Sequence, residues 1–252
     1  MSSRNTLANI RIILIETSHP GNIGSAARAM KTMGLSQLYL VKPKKFPDEQ
    51  AVAMSANATD ILDNAIVVES LADALTGCQL VVGSSARHAR TLSWEVVNPR
   101  ECAQKAIQQA ASGGVALVFG RESSGLTNQE LALCHYLVHI PTNPEYSSLN
   151  VASAVQILSY ECRMASFDEA EKALDASPAL PTKNNQELVT ADDMEAYYQQ
   201  LEAALIAVNF LDPSNPRYLM IRLRRLYNRI RLTRSELNIL RGVLSAFQKN
   251  KE

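Results

Sequence analysis

The stretch IRIILIETSHPGNIGSAARAMKTMG, residues 10–34, decides the fold class. Its apolar run at 10–16 is typical of a buried strand, and its small and apolar residues at 23–33 have the spacing of a helix. The same alternation of short apolar runs and helix-like stretches continues to residue 165, and it predicts an α/β domain with a mostly parallel sheet. Further strands are predicted at 38–41, 65–68, 80–84, 115–119 and 136–140, and further helices at 70–76, 99–111 and 127–134.

The character of the chain changes after a predicted long helix at 148–165. Residues 166–189 are polar, contain two prolines and have little periodicity, which is typical of a linker. Three amphipathic helices are predicted beyond it, with Thr190, Asn215 and Thr233 as their N-caps. The sequence therefore predicts a first domain at 1–165, a linker at 166–189 and a small all-helical module at 190–252.

The composition excludes several classes of protein. No apolar run approaches the roughly 18 residues of a membrane span, and the first residues lack the apolar region of a signal peptide. The four cysteines lie far apart, so they predict buried, reduced thiols in a cytoplasmic protein. His135 and His139 are spaced as zinc ligands are on a helix, but they flank a strand-like segment and no H-E-x-x-H is present. We therefore expect no metal and no membrane contact.

Charge is unevenly placed along a chain whose net charge is zero. Residues 166–209 hold nine acidic and two basic side chains, whereas residues 210–252 hold ten basic and three acidic ones. The basic segment contains an arginine series, and Arg222, Arg225 and Arg229 fall three and four apart, which places them on one helix face. Such a stripe predicts binding to nucleic-acid phosphates. The alternatives are an ordinary solvated face and a partner for the acidic segment.

Two glycines between the first strand and the first helix raise the question of a ligand. Gly21 and Gly24 match neither the dinucleotide-binding motif nor the P-loop. The helix start at 23–26 is expected to present free N–H groups to an anion. Arg28, about one turn further on, could reach the same anion, so the turn predicts a site for one phosphate. The alternative is a tight connection with a surface arginine.

Three later loops follow predicted strands and are expected to meet at one edge of the sheet. The first contains Ser84 and Ser85, the second is GRESSG at 120–125, and the third contains two prolines and then Ser147 and Ser148. Glycines and hydroxyl side chains at strand ends predict a binding site. The alternatives are a polar loop, a β–α loop with an exposed ion pair, and simple helix capping by serine.

Taken together, these motifs resemble the SPOUT superfamily of S-adenosylmethionine-dependent RNA methyltransferases, in its TrmH-like family. The resemblance spans nearly the whole chain and is carried by ETSHPGNIGSAARAMKTMGLSQLYLVKP, LVFGRESSGLTNQEL and IPTNPEYSSLNVASAVQILSYE. Within the superfamily the chain is similar to bacterial enzymes that methylate the 2′-oxygen of cytidine or uridine at nucleotide 32 of the tRNA anticodon loop, and the helical tail is typical of them.

The resemblance implies a deep trefoil knot in the α/β domain and a homodimer with the active site across the interface. It also implies a catalytic group of Asn22, Arg28 and Glu122, with tRNA bound in part by the tail. For S-adenosylmethionine it implies a cradle of Ser84, Ser85, Ala86, Gly120, Ile140, Ser147, Ser148 and Leu149. Because a guanidinium stays protonated, we expect Arg28 to anchor a phosphate and stabilise a developing alkoxide, not to act as a base.

Other functions remain open at this point. One is a related enzyme that acts on ribosomal RNA or on another tRNA position. Another is a non-catalytic RNA-binding module that only keeps the fold. A nucleotide-binding oxidoreductase is disfavoured because no G-x-G-x-x-G follows any predicted strand.

Overall fold

A seven-stranded sheet lies at the centre of the fold. The computed structural model of the chain describes residues 6–85, 94–175, 188–215 and 217–249, without the side chains of 170–175 and 247–249. Every paired strand runs parallel to its neighbour, in the order β3-β2-β1-β6-β4-β7-β5. The strands are β1 (Ile10–Ile15), β2 (Gln37–Val41), β3 (Ile66–Val68), β4 (Cys78–Ser84), β5 (Val96–Val97), β6 (Gly114–Phe119) and β7 (Tyr136–Val138).

Helices cover both faces of the sheet and form the tail. A 3₁₀ turn at Thr6–Asn9 precedes β1. The helices of the sheet domain are α1 (Pro20–Met33), α2 (Glu49–Ser55), α3 (Thr59–Asp63), α4 (Leu71–Leu75), α5 (Pro99–Ala110), α6 (Asn128–Leu131) and α7 (Val151–Asp175). The tail contains α8 (Ala191–Ala207), α9 (Leu219–Ile230) and α10 (Arg234–Lys249).

Apolar residues on both faces of the strands explain the layered arrangement. Along β1, Ile12 and Leu14 belong to one buried cluster, while Ile13 and Ile15 belong to another on the opposite face. Continuous apolar runs of this kind are typical of parallel strands covered on both sides. The predicted α/β class with a parallel sheet and a helical tail is confirmed. The trefoil knot concerns the path of the chain, which strand order alone does not establish, and it stays a prediction.

The glycine turn predicted before α1 does not form. Helix α1 begins at Pro20, and it includes both Gly21 and Gly24. A Cβ built on Gly24 would lie 2.0 Å from the carbonyl oxygen of Ala51, so this glycine lets α1 pack directly on the backbone of α2. Arg28 consequently lies about two turns into the helix, not one. The prediction of a glycine turn was wrong, whereas a phosphate site near the start of α1 stays a prediction.

Three other helix boundaries differ from the sequence prediction. Helix α7 starts at Val151 and continues to Asp175, into the predicted linker. Helix α9 starts at Leu219 with Tyr218 as its N-cap, so Asn215 does not cap it. Thr190 caps α8 as predicted, and Thr233 accepts a hydrogen bond from the Glu236 amide at the start of α10. Helices α2 and α3 and strand β5 were not predicted.

The tail has its own core and a polar contact with the sheet domain. Tyr197, Tyr198 and Leu237 are among the fully buried residues of that core. At the junction, the Asn228 amide donates to the Ala132 carbonyl over 3.0 Å and the Gly77 amide donates to Asp192 over 3.0 Å. Hydrogen bonds thus join the tail to the sheet domain, and Ala191 of α8 also packs against the apolar cluster on one face of the sheet.

Burial determines the protonation state of the cysteine thiols. All four cysteines are free and buried, and burial raises the pKa of the Cys78 thiol to about 11 and that of Cys102 to about 12. These thiols are poor nucleophiles at neutral pH.

Among the helices that the structure describes, none has the length and apolar character needed to cross a membrane.

Candidate functional site

A cavity of about 620 Å³ opens at the carboxyl edge of the sheet. It lies where β4 and β6 end and where the chain turns into α1 and α7. Because carboxyl ends of neighbouring parallel strands share one edge, loops far apart in sequence meet there. Its lining includes His19, Asn22, Ser84, Ser85, Phe119, Gly120, Glu122, Tyr146, Ser147, Ser148, Leu149 and Asn150.

Gly120 shapes the loop after β6. A Cβ at this position would lie 2.2 Å from the Gly125 carbonyl carbon and 2.5 Å from the Leu126 amide nitrogen. The loop closes through a hydrogen bond from the Gly125 amide to the Arg121 carbonyl over 2.9 Å, and Gly125 adopts φ 68°. Both glycines are therefore required by the turn itself, and the tight turn projects Glu122 at the cavity.

Arg121 fixes this loop to the rest of the domain. Its guanidinium forms a two-bond pair with Glu130 at 3.0 and 3.1 Å and a third bond with Glu16 at 2.5 Å. These hydrogen bonds, with that of Glu16 the strongest, raise the pKa of the Arg121 guanidinium. The predicted alternative of an exposed Arg–Glu pair within the loop was wrong, since Arg121 is mostly buried and pairs elsewhere.

Glu122 is the centre of a hydrogen-bond network that joins two of the sequence motifs. Its carboxylate accepts from the Asn22 amide over 3.0 Å and from the Ser18 amide and hydroxyl over 3.2 Å. Partial burial acts to raise the pKa of Glu122, but the bonds from Asn22 and from backbone amides outweigh it, and the pKa is lowered. Glu122 is therefore a carboxylate at neutral pH.

Asn150 extends the network to the third motif. Its side-chain amide donates to the Asn22 carbonyl oxygen over 2.9 Å, while its own oxygen accepts from the Ala152 amide over 2.8 Å. Asn150 thus caps α7 and positions Asn22 at the same time. The prediction that Ser147 or Ser148 caps this helix was wrong; both serines line the cavity instead. The preference of Asn for the N-cap was the signal in the sequence that pointed to Asn150.

Most of the residues implied for the cofactor cradle lie together. Six of them line the cavity, in the company of Asn22 and Glu122. Ile140 instead packs partly buried against the core beneath it. Ala86 falls in 86–93, outside the described residues. The six cradle residues at the cavity are Ser84, Ser85, Gly120, Ser147, Ser148 and Leu149.

Arg28 does not share this cavity's lining with Asn22. It lies six residues further along α1, which is about 9 Å along the axis and about 120° around it. Its side chain is exposed, whereas its neighbours Ala27 and Ala29 are buried. Arg28 and Asn22 therefore lie on different sides of α1.

The arginine series of the tail divides into two groups. Arg224 forms a two-bond pair with Glu195 at 2.5 and 2.9 Å, and Arg234 pairs with Asp193 at 2.6 Å. These two confirm the alternative in which arginines pair with the acidic segment. The predicted stripe lies on the other face, where Arg222, Arg225 and Arg229 line a groove of about 470 Å³ with Leu223 and Leu226.

The tyrosines and histidines singled out in the sequence lie in different environments. Tyr227 packs with Tyr197 in the tail core, with ring centroids 5.3 Å apart, while Tyr218 is half exposed. His135 is partly buried, and its Nδ1 accepts from the Val81 amide over 3.0 Å. Desolvation lowers the pKa of His135 to about 4. Within the described ranges no group of three or more His, Cys, Asp or Glu side chains is placed to hold a metal ion.

Comparisons with known proteins identify the family. The SpoU rRNA Methylase family model matches residues 9–160, and the model of the tRNA methyltransferase TrmJ C-terminal domain matches residues 192–252. A protein of Pseudomonas aeruginosa named tRNA (cytidine/uridine/adenosine-2′-O-)-methyltransferase TrmJ is 55% identical over 245 residues, covering 96% of this chain and 95% of its own. The chain belongs to the TrmJ group of the SpoU methylase family. The resemblance drawn from its three motifs is confirmed.

Another relative and a crystal structure support the assignment of the chain to the TrmJ group. A Photorhabdus laumondii protein named tRNA (cytidine/uridine-2′-O-)-methyltransferase TrmJ is 54% identical over 96% of this chain and 98% of its own. The crystal structure of TrmJ from Z. mobilis ZM4 superposes with a TM-score of 0.82 at 30% identity, covering 96% of this chain and all of that one. The fold of the whole chain, tail included, is thus shared with an experimentally determined TrmJ.

Proposed function

We propose that this protein methylates the 2′-oxygen of the ribose of cytidine or uridine at nucleotide 32 in the tRNA anticodon loop, with S-adenosylmethionine as donor. One observation carries the proposal: a single cavity collects the ends of all three motifs, and the Glu122–Asn22–Asn150 network ties them together. The relatives named for 2′-O-methylation of cytidine and uridine in tRNA support the substrate class.

The residues at the cavity fit the proposed donor. S-adenosylmethionine has a polar adenosyl part and an amino-acid part, and the cavity offers serine hydroxyls at 84, 85, 147 and 148 beside the apolar side chain of Leu149. A volume of about 620 Å³ is in the range of small-molecule sites. When bound, the donor supplies an already activated methyl group on its sulfonium, so the reaction calls for no metal.

Positioning is the main task left to the protein. Holding the ribose 2′-oxygen in line with the methyl group removes much of the barrier to transfer. Asn22, fixed on both sides by Glu122 and Asn150, is proposed to orient the ribose. Arg28 is proposed to bind the adjacent phosphate and stabilise the developing alkoxide, since its permanent charge makes it an electrostatic stabiliser and not a base.

A second subunit is proposed to complete the site. Arg28 is exposed and does not line the cavity of its own chain, so we propose that it reaches a reacting ribose in a partner's cavity. Helix α7 packs against α1 and carries an exposed apolar stripe of Tyr160, Met164 and Phe167, each between 40% and 48% exposed. A stripe at helical spacing on a helix that packs against α1 is a suitable surface for a homodimer.

The tail is proposed to hold the tRNA. The groove is lined by three guanidinium groups from one face of α9, those of Arg222, Arg225 and Arg229. We accordingly propose a methyltransferase domain at 1–165 and a tRNA-binding extension at 190–252. The polar segment at 166–189 is proposed to join them, with its first part continuing α7. A cytoplasmic location is proposed because the relatives are named for acting on tRNA.

Nucleotide mapping tests the proposed reaction. tRNA from cells that lack the enzyme is incubated with the purified protein and S-adenosylmethionine, and methylated nucleotides are located by mass spectrometry. A new 2′-O-methyl group at nucleotide 32 is expected. A methyl group at another tRNA position or in ribosomal RNA would redirect the proposal to a different substrate. RNA binding without methyl transfer would support the non-catalytic alternative.

Subunit complementation tests the shared site. Arg28→Ala and Glu122→Gln are each expected to be inactive alone. In a mixed population, half of the dimers are heterodimers, and each has one site with an intact Glu122 and a partner's intact Arg28. Activity should therefore return to about a quarter of the wild-type value. No recovery after subunit exchange would mean that Arg28 does not act in the partner's site.

A further inference from the structure

Tyr146 is exposed to an extent that its role in folding does not explain. It is 76% exposed, the highest fraction among the large hydrophobic side chains that are exposed in the described ranges. It nevertheless lines the main cavity, next to Ser147 and Ser148. Exposed aromatic rings at the mouth of a cavity are typical of surfaces that contact a ligand.

Hydrogen bonds fix the backbone of the turn that carries Tyr146. The Tyr146 amide donates to the Asn143 carbonyl over 3.0 Å, and the two residues form an isolated bridge. The Asn143 side chain also accepts from the Glu145 amide over 3.0 Å. Pro144 restricts the same turn. A side chain on such a turn loses little backbone freedom on binding, which favours a recognition role.

The position of Tyr146 relative to the network suggests what it contacts. The cavity that Tyr146 lines is also lined by Asn22 and Glu122, the residues proposed to orient the ribose. A nucleotide whose sugar lies at that network must place its base close by, outside the base stack of the RNA. Bases removed from their stack bind to aromatic faces in proteins that recognise single-stranded RNA.

We propose that Tyr146 is the stacking surface for the base of the methylated nucleotide, an inference that rests on the proposed function. Stacking is tolerant of base identity because every base has a π-face. This property agrees with relatives that are named for two bases in one case and for three in another. Hydrogen-bond readout of a base edge would instead separate cytidine from uridine.

Steady-state kinetics with two Tyr146 variants test the inference. Tyr146→Phe keeps the ring and should stay within about twofold of wild type, whereas Tyr146→Ala should lower kcat/KM by about 5- to 150-fold, the equivalent of one lost base–aromatic stack. The loss should be the same for tRNAs that present cytidine and uridine, and should lie mainly in KM. Val67→Ala, which truncates a half-exposed apolar side chain on the edge strand β3, is the control and should have little effect.

Two further measurements separate this role from others. Calorimetry should give the same affinity for S-adenosylmethionine in wild type and Tyr146→Ala, and sedimentation should give the same oligomeric state. A parallel loss of donor affinity would place the ring against the cofactor, and dissociation would place it in a subunit interface; either overturns the inference. Unchanged kcat/KM in Tyr146→Ala overturns it as well. A wild-type protein that methylates no tRNA would instead refute the proposed function.

Discussion

Replacing Gly24 with alanine should separate α1 from α2, and Gly21→Ala should not. The two glycines lie three residues apart on α1. At Gly24 a Cβ would lie 2.0 Å from the Ala51 carbonyl oxygen and 2.9 Å from its carbon, both of them backbone atoms. At Gly21 the nearest atom is the Met54 Cγ at 3.4 Å, an ordinary contact on a flexible side chain.

The magnitude follows from two opposing effects. Forcing a methyl group into a packed backbone contact costs about 3 kcal/mol, the upper part of the range for overpacking, because no side-chain rotation relieves it. Alanine in place of glycine in a helix returns about 1 kcal/mol. Gly24→Ala should therefore lower the free energy of unfolding by about 2 kcal/mol. Gly21→Ala, in the first turn, should leave it unchanged or raise it by up to about 1 kcal/mol.

Thermal and urea denaturation measure the difference. For a chain of this size, a loss of about 2 kcal/mol corresponds to a Tm lower by about 4–8 °C. Circular dichroism should show equal helix content in both variants before unfolding. A Tm for Gly24→Ala at or above that of wild type would refute the reasoning that this glycine exists for helix packing, and would return attention to a ligand at the start of α1.

Two further predictions concern charge. Arg229→Gln should remove one phosphate contact, so the slope of log K against log salt for tRNA binding, measured by filter binding, should become shallower by about 0.7–0.9. Arg224 pairs with Glu195, so Arg224→Gln should instead lower the Tm and leave that slope unchanged. Equal slopes in both variants would contradict the assignment of the groove. Desolvation lowers the pKa of His135 from 6.5 to about 4, so the unfolded chain takes up a proton in that window that the folded chain does not. The free energy of unfolding should fall by up to about 3 kcal/mol as pH falls through it, and His135→Asn should flatten this dependence in urea titrations.

The fold class could be predicted because the strands of the sheet centre are almost purely apolar. The run at 10–16 corresponds to Ile10–Ile15, and 115–119 corresponds to Gly114–Phe119. Strand β5 was missed because it has only two residues and depends on its backbone bonds with β7, including that from the His139 amide to the Val97 carbonyl. Length and periodicity carry no signal for such an element.

The site could be predicted in outline but not in its connections. Loops at strand ends and the family resemblance pointed to Ser84, Gly120 and Ser148, which the structure brings to one cavity. Proline at the first helical position was the signal for the start of α1 at Pro20, whereas the role of Gly24 depends on an oxygen of α2 that is 27 positions away in the chain. The sequence prediction also missed Asn150, whose bond with Asn22 joins residues 128 positions apart.

The polar junction between the tail and the sheet affects how the protein can respond to a large substrate. Hydrogen bonds such as those of Asn228 with Ala132 and of Arg231 with Gln109 exchange readily for bonds to water. The tail has an apolar cluster of its own, and Ala191 at its start packs against a cluster on one face of the sheet. Because contacts between domains permit relative motion unless they are large and apolar, we expect the tail to shift against the sheet domain when a bulky folded RNA binds.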